Sequence, residues 1–219
     1  MAPGWRNRLA MTLAKICGLT DPDMVSFAAG AGADWIGINF IPASPRFVRR
    51  ERAPALLGAM GSARAVALLA DPSVEDVMET ARLGFPVLQL HGAESPGRLA
   101  EIRAMTGLEV WKAAGIRTAG DLEQAARFDA ADRLLLDARA PEGAAQGGGH
   151  GASFDWTLLQ GWAAPKPWLL AGGLTPGNVA AAIRATGAPA VDVSSGVERE
   201  RGVKDRELIR AFLRAAKGL

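Results

Sequence analysis

The chain has 219 residues, with 25 Lys+Arg against 23 Asp+Glu, a formal charge of 25 − 23 = +2. Apolar residues make up 49% and charged residues 22%, the balance of a folded globular chain, which excludes a disordered or collagen-like one. A pI of about 9.0 on so small a net charge, with no block of five or six like charges, is no nucleic-acid signature.

The length fits two small domains or one α/β barrel of about 200–250 residues, and no composition shift marks a boundary. Cys17 is the only cysteine, so no internal disulfide can form. With only His91 and His150 besides, a Cys/His zinc site lacks ligands, and no metal is expected. The apolar runs near the N-terminus are too short for a signal-peptide core, and no stretch approaches the ~20 apolar residues of a membrane span. The expectation is a cytoplasmic protein with neither nucleic acid nor membrane as a partner.

In chain order, the recurring unit is a short β-rich apolar run, a turn and a helical stretch. Candidate strands are Thr12–Cys17, Trp35–Phe40, Ala65–Leu69, Val87–Leu90, Val110–Lys112, Arg133–Asp137, Trp168–Ala171 and Ala190–Ser194. They begin roughly 20–35 residues apart, the length of one β/α unit. The runs are continuous rather than alternating, as in Leu134-Leu135-Leu136. Strands apolar on both faces belong to a parallel sheet covered by helices. Helix starts keep the same register. Asp21-Pro22, Ser95-Pro96 and Thr175-Pro176 each put an N-cap oxygen before a proline, while Ser73 with Asp76 and Thr118 with Asp121 have capping-box spacing. Val25, Ala28, Ala29 and Gly32 follow a helical period, as do Leu208, Ile209, Phe212 and Leu213. Gly30, Gly61, Gly84, Gly107 and Gly187 fall near helix ends.

Eight strands alternating with eight helices predict a single-domain (β/α)8 barrel of the TIM type over residues 12–219. Residues 1–11 are read as a disordered N-terminal extension. An open doubly wound sheet would favour a Gly-x-Gly-x-x-Gly turn, which the sequence lacks.

In a barrel, the chemistry sits on the loops after the strands' C-terminal ends. Two glycine-bearing stretches there read as a phosphate cradle: Gly172-Gly173 after strand seven and Ser194-Ser195-Gly196 after strand eight. Glycine lets backbone N–H groups approach an anion, and a short helix after Gly196 would add its dipole. Cys17 ends strand one, with Lys15 two residues back on the same face. A neighbouring cation and helix N-terminus would lower its thiol pKa. Asp137 ends strand six; to act as an acid it needs burial or a negative neighbour such as a phosphate. A thiol, a carboxyl group and a phosphate site around one mouth point to proton transfer on a phosphorylated small molecule, without fixing which one.

Several segments resemble those of phosphoribosylanthranilate isomerases. They are Lys15-Ile16-Cys17-Gly18-Leu19-Thr20, the run from Gly32 to Phe40, Ser44-Pro45-Arg46-Phe47-Val48, Leu88-Gln89-Leu90-His91-Gly92 and Leu134-Leu135-Leu136-Asp137. Phe154-Asp155-Trp156, Leu170-Ala171-Gly172-Gly173-Leu174, the run from Val191 to Glu198 and Gly202-Val203-Lys204-Asp205 complete the set, which spans about Thr12 to Phe212. The resemblance implies a (β/α)8 barrel enzyme of tryptophan biosynthesis. Such an enzyme isomerises N-(5-phosphoribosyl)anthranilate by an Amadori rearrangement, without metal or organic cofactor.

Carried over, Cys17 matches the general base, Asp137 the general acid and Arg46 the residue that binds the substrate's carboxylate. Lys15, Gln89, His91, Gly149, Gly151, Gly172, Gly173, Ser194, Ser195 and Gly196 complete the expected substrate-binding set. The partner implied is a small phosphorylated substrate, and the assembly a monomer or homodimer. The chain departs from the family pattern at His150, where threonine is usual, at Asn39, where an apolar residue is usual, and at Leu69-Ala70-Asp71. His91 is read as structuring its loop, and Asp192, within strand eight, as a structural hydrogen-bond partner. Two other readings stay open: another phosphate-binding barrel isomerase, such as a pentose-phosphate epimerase, and a non-catalytic protein that binds a phosphorylated metabolite.

Overall fold

The structure is a computed structural model that describes residues 11–138 and 155–218. The predicted extension, apart from Met11, lies outside the described residues, as do Gly149, His150 and Gly151. Eight parallel strands close into a barrel in sequence order: β1 (Leu13–Cys17), β2 (Trp35–Asn39), β3 (Arg64–Leu69), β4 (Val87–Leu90), β5 (Glu109–Ile116), β6 (Arg133–Ala138), β7 (Trp168–Leu170) and β8 (Ala190–Val193). β8 returns to β1, with Lys15 paired to Asp192 on one side and to Trp35 on the other. Every predicted strand is present. β5 runs four residues beyond its predicted end, because Ala113, Ala114, Gly115 and Ile116 keep pairing with β6.

The helices are α1 (Pro22–Gly30), α2 (Ala53–Gly58), α3 (Val74–Arg82), α4 (Pro96–Thr106), α5 (Ala119–Ala126), α6 (Val179–Thr186) and α7 (Arg206–Lys217). Between β6 and β7 the described residues hold a 3-10 turn, Trp156–Leu159. Asp21 and Ser95 cap α1 and α4 as predicted, and both capping boxes form, on α3 and α5. Thr175 does not cap α6. The Asn178 side chain turns back to accept from the Thr175 N–H and donate to the Gly173 carbonyl, so the loop stays open and α6 starts three residues later than predicted. The left-handed turn after α1 falls on Gly32 (φ 100°) rather than Gly30.

Two apolar layers follow from the strands' alternation. One lies between strands and helices, where Ile209, Phe212 and Leu213 of α7 are buried beside Ile16 and Val191. Full burial of each such side chain contributes about 1.5–3 kcal/mol. The other fills the barrel and includes Val66, Leu68, Val87, Trp111, Leu135 and Leu169. At the N-terminal end of the strands, Trp35 and Trp111 meet edge-on with centroids 5.3 Å apart. The Arg133 guanidinium lies over both rings, at 5.2 and 5.8 Å. Glu109 ties that end together, accepting from Trp111 Nε1 at 2.7 Å and from Arg133 Nε at 3.2 Å, with Arg64 Nη2 2.8 Å away. These groups floor the barrel and leave the polar chemistry to its other end.

Candidate active site

The inward positions nearest the C-terminal mouth carry Cys17 on β1, Gln89 on β4, Asp137 on β6 and Asp192 on β8. Lys15 lies one inward position deeper on β1. It is fully buried, and its Nζ donates to Asp192 Oδ1 at 2.9 Å. Burial alone would lower the Lys15 pKa, but the charges of Asp192 and Cys17 override it and hold the ammonium above its ordinary value. Lys15 is therefore a fixed internal cation rather than a group facing the mouth, and Asp192, read from the sequence as a structural hydrogen-bond partner, is the residue that holds it.

The thiol is 6% exposed. A Cβ placed at Gly37 on β2 would lie 2.9 Å from Cys17 Sγ and 3.1 Å from Lys15 Nζ. The bare backbone of β2 is what gives both groups room. The sequence predicted a lowered thiol pKa, and the structure reverses this: burial pushes it up and outweighs the opposing cations, Lys15 and then Lys204. Asp137, half-buried, pairs in register with Gly115 three strands away from Cys17 around the ring. The two groups face the same interior from well-separated sides.

Arg46 departs most from expectation. A residue expected to offer its charge to a substrate carboxylate is 4% exposed and already ion-paired within the protein. Its Nε donates to Glu198 Oε1 at 2.6 Å and its Nη2 to Glu198 Oε2 at 2.8 Å. Its stem lies across Gly18. Its backbone N–H donates to Ser44 Oγ, which also accepts from Asn39 Nδ2. Asn39, the polar departure on β2, thus shapes the loop that carries Arg46. Glu198 also accepts from Lys204 Nζ at 2.7 Å and from the Gly202 N–H at 3.0 Å. Burial alone would raise the Glu198 carboxyl, yet its bonds to Arg46 and the Lys204 charge bring it down to about 2. Lys204 goes the other way, since burial pulls it below the ordinary lysine value despite Glu198 beside it. Sequence reading gave Glu198 and Lys204 no role. Their only signal was membership of the last two motifs.

After β8, a 3-10 turn, Ser195–Val197, opens at Ser194 and leads into a hairpin of β9 (Glu198–Glu200) and β10 (Val203–Lys204). Gly172 and Gly173 have φ of 86° and 63°, where a side chain would be strained. A Cβ at Gly196 would lie 1.8 Å from the Leu174 carbonyl oxygen, so the loops after β7 and β8 meet at bare backbone. Among the described residues, no backbone carbonyl accepts from the N–H of Gly173, Ser195 or Gly196. Unpaired N–H groups gathered on adjoining loops have the geometry that can hold an anion.

Gln89 is fully buried, and neither its amide oxygen nor its nitrogen has a protein partner among the described residues. His91 directly follows the same strand. Burial first, then the Lys15 and Lys112 charges, lower its pKa to about 4, so its imidazole is neutral at pH 7.

A family model described as N-(5'-phosphoribosyl)anthranilate (PRA) isomerase matches residues 14–215. The chain belongs to the PRA isomerase family. A family member from Hyphomonas neptunium is 61% identical over 207 residues, covering 94% of this chain and 98% of the relative. One from Rhodospirillum rubrum is 50% identical over 218 residues, covering 95% and 99%. The crystal structure of the Thermotoga maritima PRA isomerase superposes with a TM-score of 0.85 at 34% identity, covering 95% of this chain and 100% of that one. A PRA isomerase crystallised with reduced 1-(o-carboxyphenylamino)-1-deoxyribulose 5-phosphate gives 0.84 at 32% identity, with the same coverage.

Proposed function

We propose that the protein converts N-(5-phosphoribosyl)anthranilate to 1-(2-carboxyphenylamino)-1-deoxyribulose 5-phosphate, the isomerase step of tryptophan biosynthesis. The observation that carries this reading is one barrel mouth holding a buried thiol beside a cation, a carboxyl group on a distant strand and a guanidinium at the rim. Two loops of free backbone N–H groups complete that mouth.

The phosphate end of the substrate lies against the N–H groups of Gly172, Gly173, Ser195 and Gly196, with the Ser194 and Ser195 hydroxyls beside them. The anthranilate carboxylate meets Arg46. Asp137 donates its proton to the ribose ring oxygen, and the C1–O bond breaks as the nitrogen lone pair forms the C=N bond of a Schiff base. The iminium charge acidifies the neighbouring C2–H. Cys17 thiolate takes that proton, and the electron pair moves to neutralise the nitrogen, giving an enolamine. The enolamine tautomerises to the ketone as C1 gains a proton and the C2 hydroxyl loses one, so that C2=O forms. A thiol raised by burial becomes a competent base only with positive charge nearby. Lys15 and Lys204 supply part of it permanently, and the iminium supplies the rest when the proton must move. The buried Gln89 amide has hydrogen-bonding capacity free for the substrate, and neutral His91 adds no charge.

A phosphorylated small molecule is thus the partner proposed. Gly149 and Gly151, between β6 and β7 in the sequence, belong to the same binding set in this reading. No helix among the described residues is long and apolar enough to cross a membrane, and cytoplasmic placement follows from the biosynthetic role proposed. The assembly is a monomer or homodimer; one matching structure, from Thermotoga maritima, is of monomers generated from a dimeric enzyme. The test is the loss of substrate fluorescence when the purified chain meets freshly generated phosphoribosylanthranilate. Fluorescence decay no faster than spontaneous breakdown would sink the reading.

A further inference from the structure

Glu198 has no role so far and Lys204 only its charge near the thiol, yet both side chains are as buried as the groups around that thiol. Their side chains are 3% and 4% exposed. We propose that Glu198 is a positioning residue for substrate recognition. It clamps one edge of the Arg46 guanidinium, with Lys204 holding the clamp in place, so that the other edge is presented to the substrate's carboxylate. This rests on the reading of Arg46 as the carboxylate-binding group.

A guanidinium has five N–H donors and two forks that can each take a carboxylate: the Nε/Nη2 edge and the Nη1/Nη2 end. Glu198 fills the first fork. Among the described residues, no acceptor takes the two Nη1 hydrogens or the second Nη2 hydrogen. Arginine alone on a loop would spend rotamer freedom each time it gripped a ligand. Here the stem is pressed against Gly18, the backbone N–H is held by Ser44 and the head is held by Glu198, so little freedom remains to lose.

Charge balance points the same way. Arg46 and Lys204 are two cations around one carboxylate, and a benzoate-type anion would complete the neutralisation. Lys204 extends the clamp towards the chemistry. Its Nζ also donates to the Ser194 carbonyl at 2.9 Å and to Ser194 Oγ at 3.2 Å. Ser194 Oγ in turn lies 3.2 Å from the Cys17 carbonyl oxygen. One carboxylate therefore ties the recognition end of the substrate to the phosphate loop and to the strand that bears the thiol.

The test compares wild type, Glu198→Gln, Arg46→Ala and the double variant by steady-state kinetics on the aminobenzoate substrate, with inorganic phosphate as a competitive inhibitor. Glu198→Gln keeps the shape and removes the charge. It should raise KM about tenfold or more, leave kcat within about threefold and leave the phosphate inhibition constant within about twofold. In the Arg46→Ala background it should add less than about twofold, because its effect passes through Arg46. An unchanged KM, an equal loss of phosphate affinity, or additive effects in the double variant would each overturn the proposal. Glu198→Asp, which keeps the charge but withdraws it, should raise KM in the same direction by less. If neither variant folds, the pair serves the fold and the proposal fails. Turnover by the wild type bears on the function alone, whereas the variant ratios bear on this inference.

Discussion

Gly18 and Arg46 are in contact between the loops that follow the neighbouring strands β1 and β2: a Cβ at residue 18 would lie 2.5 Å from Arg46 Cδ. Gly18 also has φ of 79°. Gly18→Ala should therefore act at a distance, straining the end of β1 and lifting the Arg46 stem from its seat. The expected result is a KM increase of about tenfold or more together with a loss of about 1–3 kcal/mol in stability. Substrate kinetics and chemical denaturation on the same preparation check it. Wild-type KM in Gly18→Ala would show that the arginine does not depend on this seat.

Cys17→Ala removes the proposed base with little change in volume, and Asp137→Asn removes the proposed acid with almost none. Each should lower kcat by at least ~100-fold, and the double variant should be far less than additively worse, since both act on one proton-transfer sequence. Because burial raises the thiol, the free enzyme should react slowly with iodoacetamide at neutral pH, and kcat/KM should rise with pH on a limb that Cys17→Ala abolishes. More than about a tenth of wild-type kcat in Cys17→Ala, with chemistry rate-limiting, would leave the thiol as a packing group.

Glu198 has a folded pKa of about 2 against an ordinary value of 4.5. A depressed carboxyl contributes stability that is fully present above its unfolded pKa and is lost as pH falls through its folded one. Its share should disappear between about pH 4.5 and pH 2. Glu198→Gln should flatten the acid limb of a stability-against-pH curve in that interval while leaving the limb above it parallel to wild type. Identical slopes for the two proteins below pH 4.5 would remove Glu198 from the acid response.

His91, with a pKa near 4, should stay neutral throughout the range in which the enzyme works. Its imidazole resonances should be flat from pH 8 to pH 5.5 and move only below that. An inflection near 6.5 would mean that the end of β4 is open to water.

Gly196→Ala should abolish the meeting of the two loops proposed to hold the phosphate, since the new Cβ would overlap the Leu174 carbonyl at 1.8 Å. Inhibition by inorganic phosphate should weaken at least about tenfold. Unchanged inhibition would place the anion elsewhere.

The barrel was legible in the sequence because its strands are apolar on both faces, as in Leu134-Leu135-Leu136, and because Asp21, Ser73, Ser95 and Thr118 sit where caps must be. The last quarter of the chain was less so. Thr175-Pro176 has the form of a helix start, but the Asn178 side chain bonds back into the loop and delays α6. The environment of the thiol was misread for a different reason. Lys15 is visible from spacing, whereas the degree of burial is a tertiary quantity, and at Cys17 burial is the larger effect. Arg46 and Glu198 are 152 residues apart. No local pattern announces such a pair, and it forms because the hairpin after β8 folds back onto the loop after β2.

The floor of tryptophans, arginines and Glu109 makes the barrel a vessel with one opening. Substrate enters and product leaves by the same route, so a bound product blocks the next substrate and the two cannot pass. Product release is then a step of every turnover made through the rim, whose loops would govern traffic as well as recognition. Changes at the floor, by contrast, can alter how long the molecule survives heat without touching what happens at the rim. Arg133 between its two indoles is where such a separation of durability from throughput could be tuned.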